Sequence, residues 1–165
     1  MRLTLVLALA FLCALAPIAV SASSWVYYDI REPKNQFVLE DSPASSAWMD
    51  AAGSAEFCAR TEPYQCFKAG NFEFAVPRGF HGKEKEWMYG GVLYKVSGTS
   101  RRFILGRRYF TYFIERDFGS HRLRFLFTRE AGLIAITTIG QAQSMVLILS
   151  GKCGYGASPL CHRSN

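Results

Sequence analysis

Apolar side chains in this chain fall in short runs separated by glycine, proline and polar clusters, the spacing of many brief strands. Trp25 to Ile30 and Gln36 to Glu40 are two such runs, parted by a turn through Glu32, Pro33, Lys34 and Asn35. Tyr64 to Lys68 and Phe72 to Val76 are β-like and joined through Ala69-Gly70-Asn71 as a tight hairpin, and Pro77-Arg78-Gly79 ends the second of them. From Glu86 onward the pattern is a meander, with strands expected near 87–96, 101–105, 108–116, 122–129, 132–139 and 144–150. Asp117-Phe118-Gly119-Ser120 closes one hairpin there and Arg129-Glu130-Ala131-Gly132 the next, so strands this close together run antiparallel.

Two strands say more. Around residue 112 both alternating sets are largely apolar, Tyr109, Thr111 and Phe113 on one side and Phe110, Tyr112 and Ile114 on the other, which predicts a central strand covered on both faces. Leu123, Phe125 and Phe127 instead alternate with Arg122 and Arg124, so one face meets the core and the two arginines point together from the other. One segment breaks the pattern. Ser42-Pro43 offers an N-cap hydroxyl followed by proline at a first helical position, and Ala44 to Ala52 is rich in helix formers up to Gly53, which predicts one short helix near residues 43–52. The expected fold is therefore mainly β: an antiparallel meander forming a small sandwich or a partly closed barrel, with the helix covering an end or an edge.

The N-terminus changes the picture of where this domain resides. Arg2 precedes an apolar run from Leu3 to Val20, and Val20-Ser21-Ala22 places small residues where a signal peptidase reads, so residues 1–22 are expected to be a cleaved signal peptide and 23–165 a single β-rich domain. The alternative is an uncleaved anchor, because the run is near the shortest that spans a bilayer. A lipid-anchored form requires small residues before its cysteine, whereas Phe11-Leu12 precede Cys13. All the phenylalanine, tyrosine and tryptophan residues except Phe11 lie after residue 22, enough aromatic surface for a well-packed core. No internal repeat is apparent.

Cysteine usage agrees with export. Cys13 leaves with the leader, and Cys58, Cys66, Cys153 and Cys161 remain. Cys58 with Cys66, and Cys153 with Cys161, each enclose seven residues, a span that a local loop can close, so two local disulfides are preferred over crossed pairings. A four-thiolate zinc site is the alternative, but it favours tighter C-x2-C knuckles than these. Neither a metal nor any other cofactor is expected.

Charge is uneven. The net charge of +6 falls to +5 without Arg2; residues 23–66 hold seven acids against three bases, and residues 67–165 hold fifteen bases against six acids. Arg101, Arg102, Arg107, Arg108, Arg116, Arg122, Arg124 and Arg129 crowd one stretch. Guanidinium forks suit phosphate, sulfate and carboxylate, so Arg122, Arg124 and Arg108 are the arginines expected to contact an anionic partner. The plainer reading is a solvated or internally paired sheet face that blocks edge pairing. The loop Gly154 to Leu160, enclosed by its cysteines, presents Tyr155 as a further contact, or serves simply as a C-terminal clasp.

Catalytic patterns are sparse. The chain has no G-x-S-x-G elbow, no phosphate-binding glycine loop and no H-E-x-x-H spacing, and His81, His121 and His162 are scattered. Oxidised cysteines leave no thiolate nucleophile. The best acid-base cluster is Glu115, Asp117 and His121, brought together by one hairpin; its competing reading is ordinary turn and cross-strand pairing of Glu115 with Arg122 or Arg124. Arg107-Arg108-Tyr109-Phe110-Thr111-Tyr112 interleaves bases and rings as a nucleic-acid stacking platform does, but export argues against that partner. The leading expectation is a secreted or periplasmic, non-catalytic binding module that engages an anionic lipid, a polysaccharide or a protein, with no transmembrane segment after the leader is removed. A small hydrolase or lyase centred on residues 115–121, and a structural subunit of an envelope assembly, are the alternatives.

Overall fold

A computed structural model describes residues 23–49, 51–104, 106–140 and 144–161. The leader expected over residues 1–22 and His162 lie outside the described residues. The elements are β1 (Ser24–Asp29), β2 (Gln36–Asp41), β3 (Ala44–Trp48), β4 (Ala51–Ser54), β5 (Glu56–Phe57), β6 (Tyr64–Ala69), β7 (Phe72–Pro77), β8 (Glu86–Tyr89), β9 (Val92–Ile104), β10 (Arg107–Phe118), β11 (His121–Thr128), β12 (Gly132–Ile139) and β13 (Val146–Leu149). A ten-stranded sheet runs in the order β4-β3-β2-β1-β13-β12-β11-β10-β9-β8, and a three-stranded sheet in the order β5-β6-β7. Every pairing is antiparallel. The large sheet is thus two meanders joined where β1 meets β13, and β4 and β8 are left as its two edges, so it does not close into a barrel.

The small sheet covers the inner face of the large one. Phe74 of β7 packs against Phe125 and Phe127 of β11, while Phe37 of β2 meets Phe67 and Phe72 of the small sheet at ring-centre distances of 6.2 and 4.7 Å. These rings are buried, as are Tyr27, Leu39, Ile114, Leu123, Ile136 and Leu147; Tyr27, Leu39, Leu123 and Leu147 alternate along their strands with more exposed outward residues. Trp87 stacks on Tyr94 and donates its indole N–H to the Ala75 carbonyl of β7. Arg116, on the inner face of β10, donates to Glu73 of the small sheet at 2.6 Å, with the Tyr94 ring beside its guanidinium. The charge inside this sandwich is therefore paired.

Residues 44–52 correct the expected helix. Residues 44–48 form β3 and residues 51–52 the first half of β4, and none of the described residues is α-helical. The alanines and serines there carry little helix-specific packing, while Trp48 placed opposite Phe37 covers Phe72 edge-on at 5.8 Å, so the edge of β2 captures the segment as further strands. The turn between β2 and β3 holds the cis Ser42–Pro43 peptide. The run expected at 87–96 is split by Gly90 and Gly91, both at positive φ, into β8 and the start of β9. β9 then continues unbroken through residues 101–104, with Ser97 bulged out opposite the step from Phe113 to Ile114. As expected, β10 lies inside the sheet and is buried on both faces from Thr111 to Arg116, apart from half-buried Phe113.

Both expected disulfides are formed, Cys58 with Cys66 and Cys153 with Cys161. The second closes a C-terminal loop that seals one end of the sandwich. Leu133 donates its N–H to the Tyr155 carbonyl and Gly154 to the Ala131 carbonyl, so the loop adds to the end of β12 through main-chain bonds. That approach requires glycine: a β-carbon on Gly154 would stand 1.9 Å from the Leu133 carbonyl oxygen.

Candidate functional site

The outer face of β9, β10 and β11 gathers the charged residues the sequence singles out. Strand register sets Glu115 opposite Arg124 and Asp117 opposite Arg122, and Lys95 lies across from Glu115 on the other side. Arg124 reaches Glu115 with Nη2 at 2.6 Å and Nε at 2.7 Å. Arg122 bridges Glu115 and Asp117, at 3.1 Å to each. The bulged Ser97 completes the set by donating its hydroxyl to Glu115 at 2.7 Å. Burial alone would raise the Glu115 pKa, but the Ser97 hydrogen bond and the two guanidiniums outweigh it and hold the carboxyl below its ordinary range. The carboxylates in turn raise the pKa of Arg122.

Arg122 and Arg124 do point together, as their alternation implies, and the neighbouring carboxylates neutralise much of their charge. Glu115 and Asp117 line the outer surface with Arg122, whereas His121 belongs to the opposite set of β11 and lines a cavity at the open end of the sandwich. A carboxylate held ionised by two arginines is a poor general acid, and this arrangement gives the hairpin the character of cross-strand pairing.

Tyr155, read either as a contact or as part of a C-terminal clasp, is turned inward. Its ring is buried among Trp25, Phe57, Phe67 and Phe74, and its hydroxyl donates to the Cys66 carbonyl. A ring flanked by glycines on a closed loop has few internal competitors for the core, and main-chain pairing with β12 pulls it inward.

Among the described arginines with no carboxylate partner, Arg101, Arg102, Arg107 and Arg108 gather at the far end of the β9–β10 hairpin. β10 pairs with β11 only from Tyr112 onward, while its pairing with β9 continues down to Arg107 opposite Ile104. The last turns of this hairpin form a two-stranded arm. Arg101 lies opposite Phe110 and Phe103 opposite Arg108, so these four share one face of the arm; Arg102, Ile104, Arg107 and Tyr109 share the other. Phe103 is 72% exposed and Phe110 47% exposed, and all four arginines are exposed. Arg102 and Arg124 flank the Phe113 ring at 5.6 Å each, where the arm joins the sheet. Leu160 of the C-terminal loop is 69% exposed and borders the same region beside Arg107 and Tyr109.

Of the binding residues read from the sequence, Arg108 alone belongs to this arm; Arg101, Arg107 and Phe110 stand out only as part of the arginine-rich stretch or the interleaved run, and Phe103 is not singled out. A signal for them exists in the sequence: two arginine pairs, Arg101-Arg102 and Arg107-Arg108, flank one short segment ending in Gly106, in a stretch with no acid between Glu86 and Glu115. Among the described residues no three His, Cys, Asp or Glu side chains are grouped to hold a metal ion, and no helix is long and apolar enough to cross a membrane. Comparison of the chain with protein-family models, with curated proteins and with solved structures finds no match.

Proposed function

We propose that this chain is an exported, non-catalytic binding module that docks on an anionic lipid surface through the β9–β10 arm. The observation that carries the reading is the pairing of uncompensated charge with exposed rings on one face: Arg101, Arg108, Phe103 and Phe110. A bilayer interface takes up both, phosphates accepting from guanidinium forks while phenylalanine rings enter the headgroup boundary. The apolar leader and the two disulfides support an oxidising location outside the cytoplasm. The rigid sheet behind the arm supports it mechanically, since the hairpin continues two strands of the body.

The test is cosedimentation of the oxidised protein with phosphatidylglycerol-containing and with pure phosphatidylcholine vesicles over a salt series. Each arginine near an anionic surface contributes about 1 kcal/mol, so Arg101→Ser/Arg108→Ser is expected to weaken partitioning roughly 30-fold. Arg122→Ser/Arg124→Ser is expected to change it less, because those side chains lie on the body of the sheet, bound to Glu115 and Asp117, and not on the arm. Binding to an acidic polysaccharide but not to vesicles, or full binding by the arm variant, overturns the proposal.

A further inference from the structure

The end of the sandwich opposite the C-terminal loop is open. There a cavity of about 570 Å³ penetrates between the two sheets. Phe37, Trp48, Phe72, Leu123 and Met145 form its walls, and the β6–β7 turn at Gly70 and Asn71 forms one lip. The opposite lip is β4, whose residues Ala51, Ala52, Gly53 and Ser54 are too small to fill the space that aromatic rings fill elsewhere in this core. Its volume lies within the range of small-molecule sites, and its composition is that of such a site, an apolar wall with a few polar groups at the rim.

From this geometry we infer that the cavity is a binding site for a neutral, single-chain apolar molecule bearing one hydrogen-bonding end group. Charge selects the ligand. The described lining contains no lysine, arginine, aspartate or glutamate, although such side chains are plentiful on the adjacent outer face, so a charged ligand would leave water without a counter-ion. The polar groups that are present, Asn71, His121, Ser46 and Thr138, are hydrogen-bonding side chains suited to a hydroxyl or an ester carbonyl. Ser46 donates to the Ser54 carbonyl and Thr138 accepts from the Met145 N–H, which leaves the Asn71 amide at the lip as the most accessible partner for the end group. The site stands apart from the arm, which leaves the sandwich at its sealed end, so the two functions are separable by mutation.

The probe is N-phenyl-1-naphthylamine, an uncharged fluorophore that brightens on leaving water. It is titrated into the oxidised protein without lipid and then displaced with 1-decanol or with decyltrimethylammonium. Saturable binding at one site is expected, with 1-decanol displacing the probe at least tenfold more effectively than the cation. Gly53→Trp fills the cavity, since a β-carbon at Gly53 meets only ordinary contact with Ser46, at 3.4 Å to its hydroxyl. Asn71→Trp fills it from the exposed turn, so the test survives if either variant fails to fold. Both are expected to weaken probe binding at least tenfold, whereas Arg101→Ser/Arg108→Ser leaves it unchanged. Absence of saturable binding, equal displacement by the cation, or undiminished binding by the folded filling variants overturns the inference.

Discussion

Glu115 is the residue on which the outer charged face depends. It is only 7% exposed, yet it stays ionised because two guanidiniums and a hydroxyl meet its two oxygens. Its folded-state pKa lies below the usual 4.5, so the stability it supplies is fully present above that value and is lost as pH falls below it. Glu115→Gln removes this term. We expect the variant to be about 1 kcal/mol less stable at neutral pH and to show a shallower loss of stability on acidification, measured by urea unfolding between pH 3 and 7 at roughly one-unit steps. An unchanged acid limb would show that the pair is only geometric. Arg116 illustrates the opposite placement of the same residue type: it is turned inward, paired with Glu73 and spent on joining the two sheets.

Among the elements, the C-terminal loop is the one whose role the strand pattern leaves open. It has no apolar alternation, and its path is set by main-chain bonds to β12 and by the ring of Tyr155 entering the core. Gly154→Ala puts a methyl group against the Leu133 carbonyl and must push the loop off β12. The expected loss is about 3 kcal/mol or more, read from the thermal midpoint, with Tyr155 becoming accessible to iodination. The segment 43–52 was misread for a related reason. Its composition satisfies helix rules locally, and what overrides them is the ladder along β2 together with Trp48 on Phe72, neither of which is visible in local sequence. Where turn signals bracket the apolar runs, from β10 to β12, strand bounds were legible to within two residues. The arm was only half legible: its arginines stand out as a run, but their separation from the paired arginines of β11 depends on where β11 stops pairing.

At the scale of the whole molecule, the core is tied together by buried tyrosines whose hydroxyls bond across elements distant in the chain. The Tyr27 hydroxyl donates to the Leu133 carbonyl, Tyr94 reaches the Glu73 carbonyl and Tyr155 the Cys66 carbonyl. Burial raises all three pKa values, that of Tyr94 to about 12 with Arg116 partly opposing. A phenol whose folded pKa is raised contributes stability in full below the ordinary value of 10.0, and that contribution is lost as pH climbs from there towards 12. The protein is therefore expected to unfold cooperatively in alkali within this window, followed by the absorbance of ionised tyrosine at 295 nm (roughly 10 to 12 in pH). Phenol ionisation with the fold intact would contradict the burial of these hydroxyls.

The join between β1 and β13 has a consequence for how the chain is made. Tyr155 donates its N–H to the Tyr27 hydroxyl across 128 residues, and the pairing of Tyr27 with Leu149 spans nearly as much of the sequence. A chain delivered N-terminus first, from a ribosome or through a translocation channel, emits β1 to β4 long before β13 exists to flank them. Until then β1 keeps an unpaired edge, and closing so long a loop is entropically slow. The large sheet is therefore joined into one only when β13 has been made, and for that interval the open edge of β1 is a place where another chain could pair.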